Sequence, residues 1–153
     1  MANNNLEKAK LKAIREFNQY IRLRDLRGHA SIGITGKCIS CGSVWEVQLF
    51  SDKSIMNGKK WHAGHFWKAN QYASTMFHPH NVNLQCYVCN RILSGNESNY
   101  SKALIEKIGK RNYDKLDQAR HQVKVYTIVE YERIAKEYHQ LALKEAERLG
   151  IKL

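Results

Sequence analysis

Four cysteines stand as two Cys-x-x-Cys pairs, Cys38/Cys41 and Cys86/Cys89, and between them lies a histidine-rich stretch, Trp61 to Trp67, reading WHAGHFW. Each pair offers two thiolates from one tight turn, and two such pairs make the closed four-sulfur tetrahedron that zinc prefers. Free buried thiols and a redox pair are the alternatives, and a reducing cytosol argues against two disulfides. The stretch from Gly42 to Gln85 is long for a simple zinc ribbon, which leaves room for a hairpin with other work. On a strand His62 and His65 face opposite ways, so without a bulge they do not ligate one metal together. One of them is then free to act as a general base while a different group holds a metal.

The charge points to a polyanion. Lys and Arg number 25 against 14 Asp and Glu, a formal charge of +11, and such an excess calls for nucleic acid or an acidic membrane surface. Between Leu26 and Asn96 the only acidic residues are Glu46 and Asp52, whereas Arg27, Lys37, Lys53, Lys59, Lys60, Lys68 and Arg91 are basic. The positive field therefore belongs to the cysteine/histidine centre, not to the balanced C-terminal part. No apolar run approaches bilayer length and no basic helix carries a Trp/Phe face, so a nucleic acid, not a membrane, is the expected partner. The N-terminus lacks the apolar core of a signal peptide, which predicts a cytosolic protein.

Helices must hold this centre. Residues 5–28 read as an amphipathic N-terminal helix, with Leu6, Ala13, Ile14, Phe17 and Ile21 at helical spacing and Gly28 as its stop. Most of its basic residues, Lys8, Lys10, Lys12, Arg15, Arg22 and Arg24, read as a solvated face, with a minority placed to touch phosphates. His29–Lys37 reads as a loop or short extended piece. Val44–Phe50 and Trp61–Trp67 have strand character, and Asn57-Gly58 is a two-residue hairpin turn that would join them. Helix follows from near Cys89, broken at Ser94-Gly95-Asn96, and continues over about 97–108 to a stop at Gly109. Asn112 caps a short helix to Arg120, and Val123–Tyr126 looks extended. Thr127-x-x-Glu130 is a capping box opening a helix to about Leu149, whose stripe from Ile128 to Leu149 reads as core or as a subunit interface.

The order of these blocks resembles a known group. Cys-x-x-Cys, a histidine on a hairpin, then Asn-x-x-x-x-Cys-x-x-Cys-Asn is similar in layout to zinc-clamped HNH (ββα-metal) nucleases, including phage recombination endonuclease VII. The blocks CISCG, WHAGHF, NVNLQCYVCN, LSGN and ALIEKIG more closely resemble the NinG/Rap family of lambdoid phages, recombination endonucleases acting on branched DNA. The resemblance covers about 38–109. It implies an α+β fold: one domain over 1–153, with a small zinc-clamped, treble-clef, HNH-like core at 38–109 between the N-terminal helix and a helical tail at 112–150.

The resemblance also implies roles. His65 matches the histidine that activates water, Asn90 the ligand of a catalytic Mg²⁺ or Mn²⁺, and Asn81 the middle Asn that orients the base or its loop, while Cys38, Cys41, Cys86 and Cys89 hold structural zinc. Gly64 stands where many HNH enzymes have an Asp or His, and His62 is the nearest substitute as second ligand or base, with His80 behind it. Lys59, Lys60, Lys68 and Arg91 flank the site as contacts to the DNA backbone, and Ser94 and Asn96 sit at a helix junction that would receive a phosphate. The implied activity is cleavage of Holliday junctions or D-loops in a phage-infected bacterial cytoplasm, by a homodimer or with recombination proteins of phage or host.

The residues alone leave rivals open. His65 also fits a core histidine, Asn90 a helix cap, and Asn81 a turn residue beside Pro79. A zinc-stabilised DNA-binding module without catalysis explains the charge and the cysteines equally well. A non-specific HNH nicking enzyme would cut linear duplex and junction alike.

Overall fold

Leu6, Ala9, Ala13, Phe17 and Ile21 recur at helical spacing, and in the computed structural model of the chain, which describes residues 2–47 and 61–153, they form the inner face of α1 (Ala2–Asp25). Against it lies α4 (Ile128–Leu149). The Thr127 hydroxyl accepts the Glu130 N–H, and the Glu130 carboxylate accepts the Thr127 N–H at 2.8 Å, so the expected capping box is formed. Phe17 meets the Tyr138 ring edge-on with centroids 4.6 Å apart, and Tyr131, Ile134 and Ala135 fill the same cluster. Burying a large apolar side chain contributes about 1.5–3 kcal/mol each, so this helix pair is the frame of the protein. Most of the α4 stripe is therefore spent on α1, inside one chain.

The N-terminal helix ends at Asp25, ahead of the Gly28 expected to stop it, because Leu26 leaves to pair with Gly36. Strands β1 (Leu26–His29) and β2 (Gly33–Lys37) form a hairpin, and β3 (Val44–Glu46) pairs antiparallel with β2. Of the two readings of His29–Lys37, loop or short extended piece, the extended one holds for Gly33–Lys37. Gly28 sits at φ +99°, where a Cβ would lie 2.1 Å from the Gly33 carbonyl oxygen, so a side chain is excluded twice over.

A second sheet pairs β4 (Trp61–His65) with β5 (Val82–Cys86), Trp61 opposite Cys86 and His65 opposite Val82. The expected hairpin between Val44–Phe50 and Trp61–Trp67 is corrected: β3 joins β2, and β4 joins β5. All five residues of β5 are buried, and buried backbone amides need partners, which β4 supplies; β3 is exposed along its length and tolerates an edge position. Asn57-Gly58 and Gln48–Phe50 lie outside the described residues.

Helix α1 also fixes β5. Arg24 donates to the carbonyls of Pro79 and Val82, and the Asp25 carboxylate accepts the Leu84 N–H at 2.9 Å. Burial opposes ionisation of Asp25, but the Arg24 guanidinium and the Lys107 ammonium outweigh it and hold the carboxyl below its ordinary range. Arg24 is therefore not a solvated face residue.

Beyond β5 the chain winds a wide π-type turn over Val88–Ile92 where plain helix was expected, then a sharp corner at Ser94–Asn96, then α2 (Glu97–Ile108). Gly109 separates it from α3 (Lys110–Arg120), so Asn112 lies inside that helix and does not cap it. Val123–Tyr126 joins neither sheet.

Candidate functional site

The four cysteines converge. Cys38 follows β2, and the turn closes as the Gly42 N–H donates to the Cys38 carbonyl at 2.9 Å; Cys86 ends β5, and Cys89 lies on the π-type turn, its N–H 3.5 Å from the Cys86 sulfur. All four Sγ atoms lie within 4.8 Å of one another, with Cys41 and Cys86 at 4.0 Å. A tetrahedron of sulfurs about 2.3 Å from a zinc ion has edges near 3.8 Å, so a small contraction accommodates the ion. The cluster is able to hold a metal such as zinc. Asn96, expected at a phosphate site, instead directs its amide to the Cys89 sulfur at 3.5 Å.

Across β5, a cleft of about 400 Å³ is lined by Ala63, His65, Lys68, Ala69, Asn90, Arg91, Ser94 and Gly95. His65, Lys68, Asn90, Arg91 and Ser94, singled out from separate stretches of sequence, thus meet at one place. Strand alternation puts Ala63 and His65 on the cleft side of β4. The His65 Nε2 lies 2.9 Å from the Met76 carbonyl oxygen. A carbonyl only accepts, so Nε2 carries the proton and Nδ1 is left as the basic nitrogen of the neutral ring. Burial lowers the His65 pKa below its ordinary value, with the Met76 hydrogen bond opposing in part.

Asn81 does not line this cleft. Its side chain is fully buried, accepts the Trp67 N–H at 2.8 Å and donates to the carbonyls of Trp67 and Thr75 at 2.9 and 3.0 Å. It braces the 66–81 loop that carries Met76, and its own carbonyl accepts the N–H of Phe66, next to His65, at 2.8 Å, so it positions His65 without touching its ring. Asn81→Ala strips partners from three backbone groups, one buried and two partly buried, and should lower stability by about 2–4 kcal/mol, measured as a reduced urea midpoint.

His62 alternates with His65 on β4; its ring centroid lies 5.9 Å from that of Tyr87, and it is not among the residues that line the cleft. Lys59 and Lys60 lie outside the described residues.

Gly64 also has a reason. A Cβ there would lie 1.9 Å from Gln85 Oε1, and Gln85 cannot yield, because it is fully buried with Nε2 donating to the Ser40 hydroxyl at 2.6 Å and to the Gly95 carbonyl at 2.8 Å. Gln85 ties the first cysteine turn to the wall of the cleft. Its only sequence signal was the Asn83/Gln85 alternation in NVNLQC, which reads as a half-exposed strand. Gly64→Ala should cost about 1–3 kcal/mol by overpacking, checked by thermal unfolding, and Gly64→Asp should cost more.

Fold and cluster together define a small α+β protein with a four-cysteine centre able to hold a metal. The chain belongs to the NinG family: the family model described as Bacteriophage Lambda NinG protein matches residues 3–148. Among its relatives, Protein ninG of Salmonella phage P22 is 34% identical over 105 residues, 67% of this chain and 44% of that protein. Protein ninG of Escherichia phage 933W is 31% identical over 103 residues, again 67% of this chain and 45% of the relative. The match thus spans less than half the length of either. No solved structure matches the chain, and no helix among the described residues is long and apolar enough to cross a membrane.

Proposed function

We propose that this chain is a metal-dependent DNA endonuclease of HNH type, selective for branched recombination intermediates such as Holliday junctions and D-loops, acting in the cytoplasm of the infected host. One observation carries it: His65, its Nε2 spent on the Met76 carbonyl, shares a cleft with Asn90 and the cationic Lys68 and Arg91. Nδ1 of His65 takes the proton from the attacking water. Lys68 and Arg91 hold the flanking phosphates, and the Ser94–Gly95 corner closes the far wall. The strand–strand–helix order of β4, β5 and α2 supports the HNH comparison. Preference for branches, and recombination partners, rest on the family resemblance.

Asn90 would hold Mg²⁺ or Mn²⁺, which when bound neutralises charge on the phosphate and leaving oxygen. Among the described residues no carboxylate lines the cleft. An amide oxygen fits a hard cation but binds it weakly, so substrate phosphates and water must complete the shell. That same missing carboxylate favours the second reading, a zinc-stabilised DNA-binding module without catalysis.

The deciding experiment is cleavage of labelled four-way junction and matched linear duplex, with Mg²⁺, with Mn²⁺ or with EDTA. Metal-dependent cutting that favours the junction supports the nuclease. Equal cutting of both substrates points to a non-specific nicking enzyme, and binding without cutting in either metal leaves the binding module.

A further inference from the structure

We propose that the outer side of the turn at Val88–Leu93 is a wedge that inserts among the unstacked bases of a DNA branch point. The proposal rests on the reading of the neighbouring cleft as a DNA site. Val88, Ile92 and Leu93 are 50%, 63% and 51% exposed, and Tyr87 beside them is 48% exposed. They form one edge, because the Leu93 N–H donates to the Val88 carbonyl at 2.9 Å across the wide turn of Val88–Ile92. Large apolar side chains left in water are unfavourable unless something covers them.

This edge cannot fold away. The turn is anchored by buried Cys89, whose carbonyl accepts the Gly95 N–H at 2.8 Å. The same turn sends Asn90 and Arg91 into the cleft beside His65 and Lys68, so a strand whose phosphates lie along those cations brings its bases to the apolar edge.

Aliphatic side chains beside basic ones are the means by which proteins part base steps, and parting costs least where stacking is already interrupted. A branch point is such a place, and continuous duplex is not. A protein partner fits less well, because protein interfaces keep charge out of their centres, whereas this edge lies beside the cleft cations Lys68 and Arg91 and the chain carries +11 overall.

The test uses the zinc-loaded chain in metal-free buffer without added chelator, so that binding is read without cutting. A four-way junction with 2-aminopurine at the exchange point and a linear duplex with the same base are titrated with wild type and with Ile92→Ser/Leu93→Ser. Wild type should brighten the junction probe and not the duplex probe. The double variant should lower the ratio of junction to duplex affinity about tenfold, with zinc content and circular dichroism unchanged; if it sheds zinc, Ile92→Ser alone reads the same ratio. An unchanged ratio in a zinc-loaded variant overturns the wedge, as does a fall from dimer to monomer mass, which would make the edge a protein interface. Failure of wild type to bind either DNA overturns the cleft reading and the wedge with it, whereas binding with an unchanged ratio removes the wedge alone.

Discussion

His65→Ala should reduce metal-dependent junction cleavage by about 10²–10⁴-fold, the usual contribution of a positioned general base, while the junction is still bound. The expectation follows from the single free nitrogen. With Nε2 donating to the Met76 carbonyl, Nδ1 alone can accept the proton of water, and removing the ring leaves the phosphate contacts of Lys68 and Arg91 in place. The pH profile gives an independent check. The neutral ring is the active form and burial lowers its pKa, so the acid limb should fall below the ordinary imidazole value of about 6.5, with a flat rate above it. The limb should vanish from the residual rate of His65→Ala. Undiminished cutting by that variant would move the base elsewhere, and His62, on the far side of β4, would be the residue to substitute next.

How much of this was legible beforehand depends on the range of the interactions. Cysteine spacing is local chemistry, and it located the four-cysteine cluster without any knowledge of the fold. The same holds for Thr127 and Glu130, whose capping box closes within one helical turn. Strand pairing is not local. Trp61–His65 is compatible in sequence with either Val44–Glu46 or Val82–Cys86, and the choice falls on β5 because Arg24 and Asp25, far away on α1, hold that strand in the interior where its amides need partners. His62 and His65 could be assigned to opposite faces from strand geometry alone, but which face meets Asn90 could not. Gln85 was invisible for a related reason: a polar residue on an alternating strand reads as exposed, and only the convergence of Ser40 and Gly95 gives its buried Nε2 partners. Gly64, which departs from the HNH pattern, becomes intelligible once Gln85 is seen to fill the space of its missing side chain.

The chain as purified should contain one zinc, and its removal by a chelator should abolish cutting while leaving most helical circular dichroism. The sulfurs join the turn after β2 to the turn after β5, which are otherwise tied by the Ser40, Gln85 and Gly95 hydrogen bonds and by the Ile39 N–H to the Leu84 carbonyl, so the cleft wall made by Asn90, Arg91, Ser94 and Gly95 leans on them. A structural zinc contributes about 10–16 kcal/mol in small zinc-binding peptides, against about 5–15 kcal/mol for the stability of a whole domain, and the sheet half cannot lose that and persist. The helical half can, because Phe17, Tyr131, Ile134 and Tyr138 form a cluster separate from the one that holds the cysteines. Tryptophan emission distinguishes the halves. Buried Trp61 lies opposite Cys86 and its ring is 5.4 Å from that of Trp45, so metal loss should shift emission to the red at unchanged helix content. Acid should favour the loss. Burial pushes the metal-free Cys89 thiol up to about 12 and raises Cys38 above its ordinary value, so binding must expel protons from both sulfurs and affinity falls as pH is lowered. A metal-free chain that kept its blue emission and still cut DNA would make the four thiols ordinary core, and the cleft would then have to be held by Gln85 with its two partners and by the Ile39–Leu84 backbone bond.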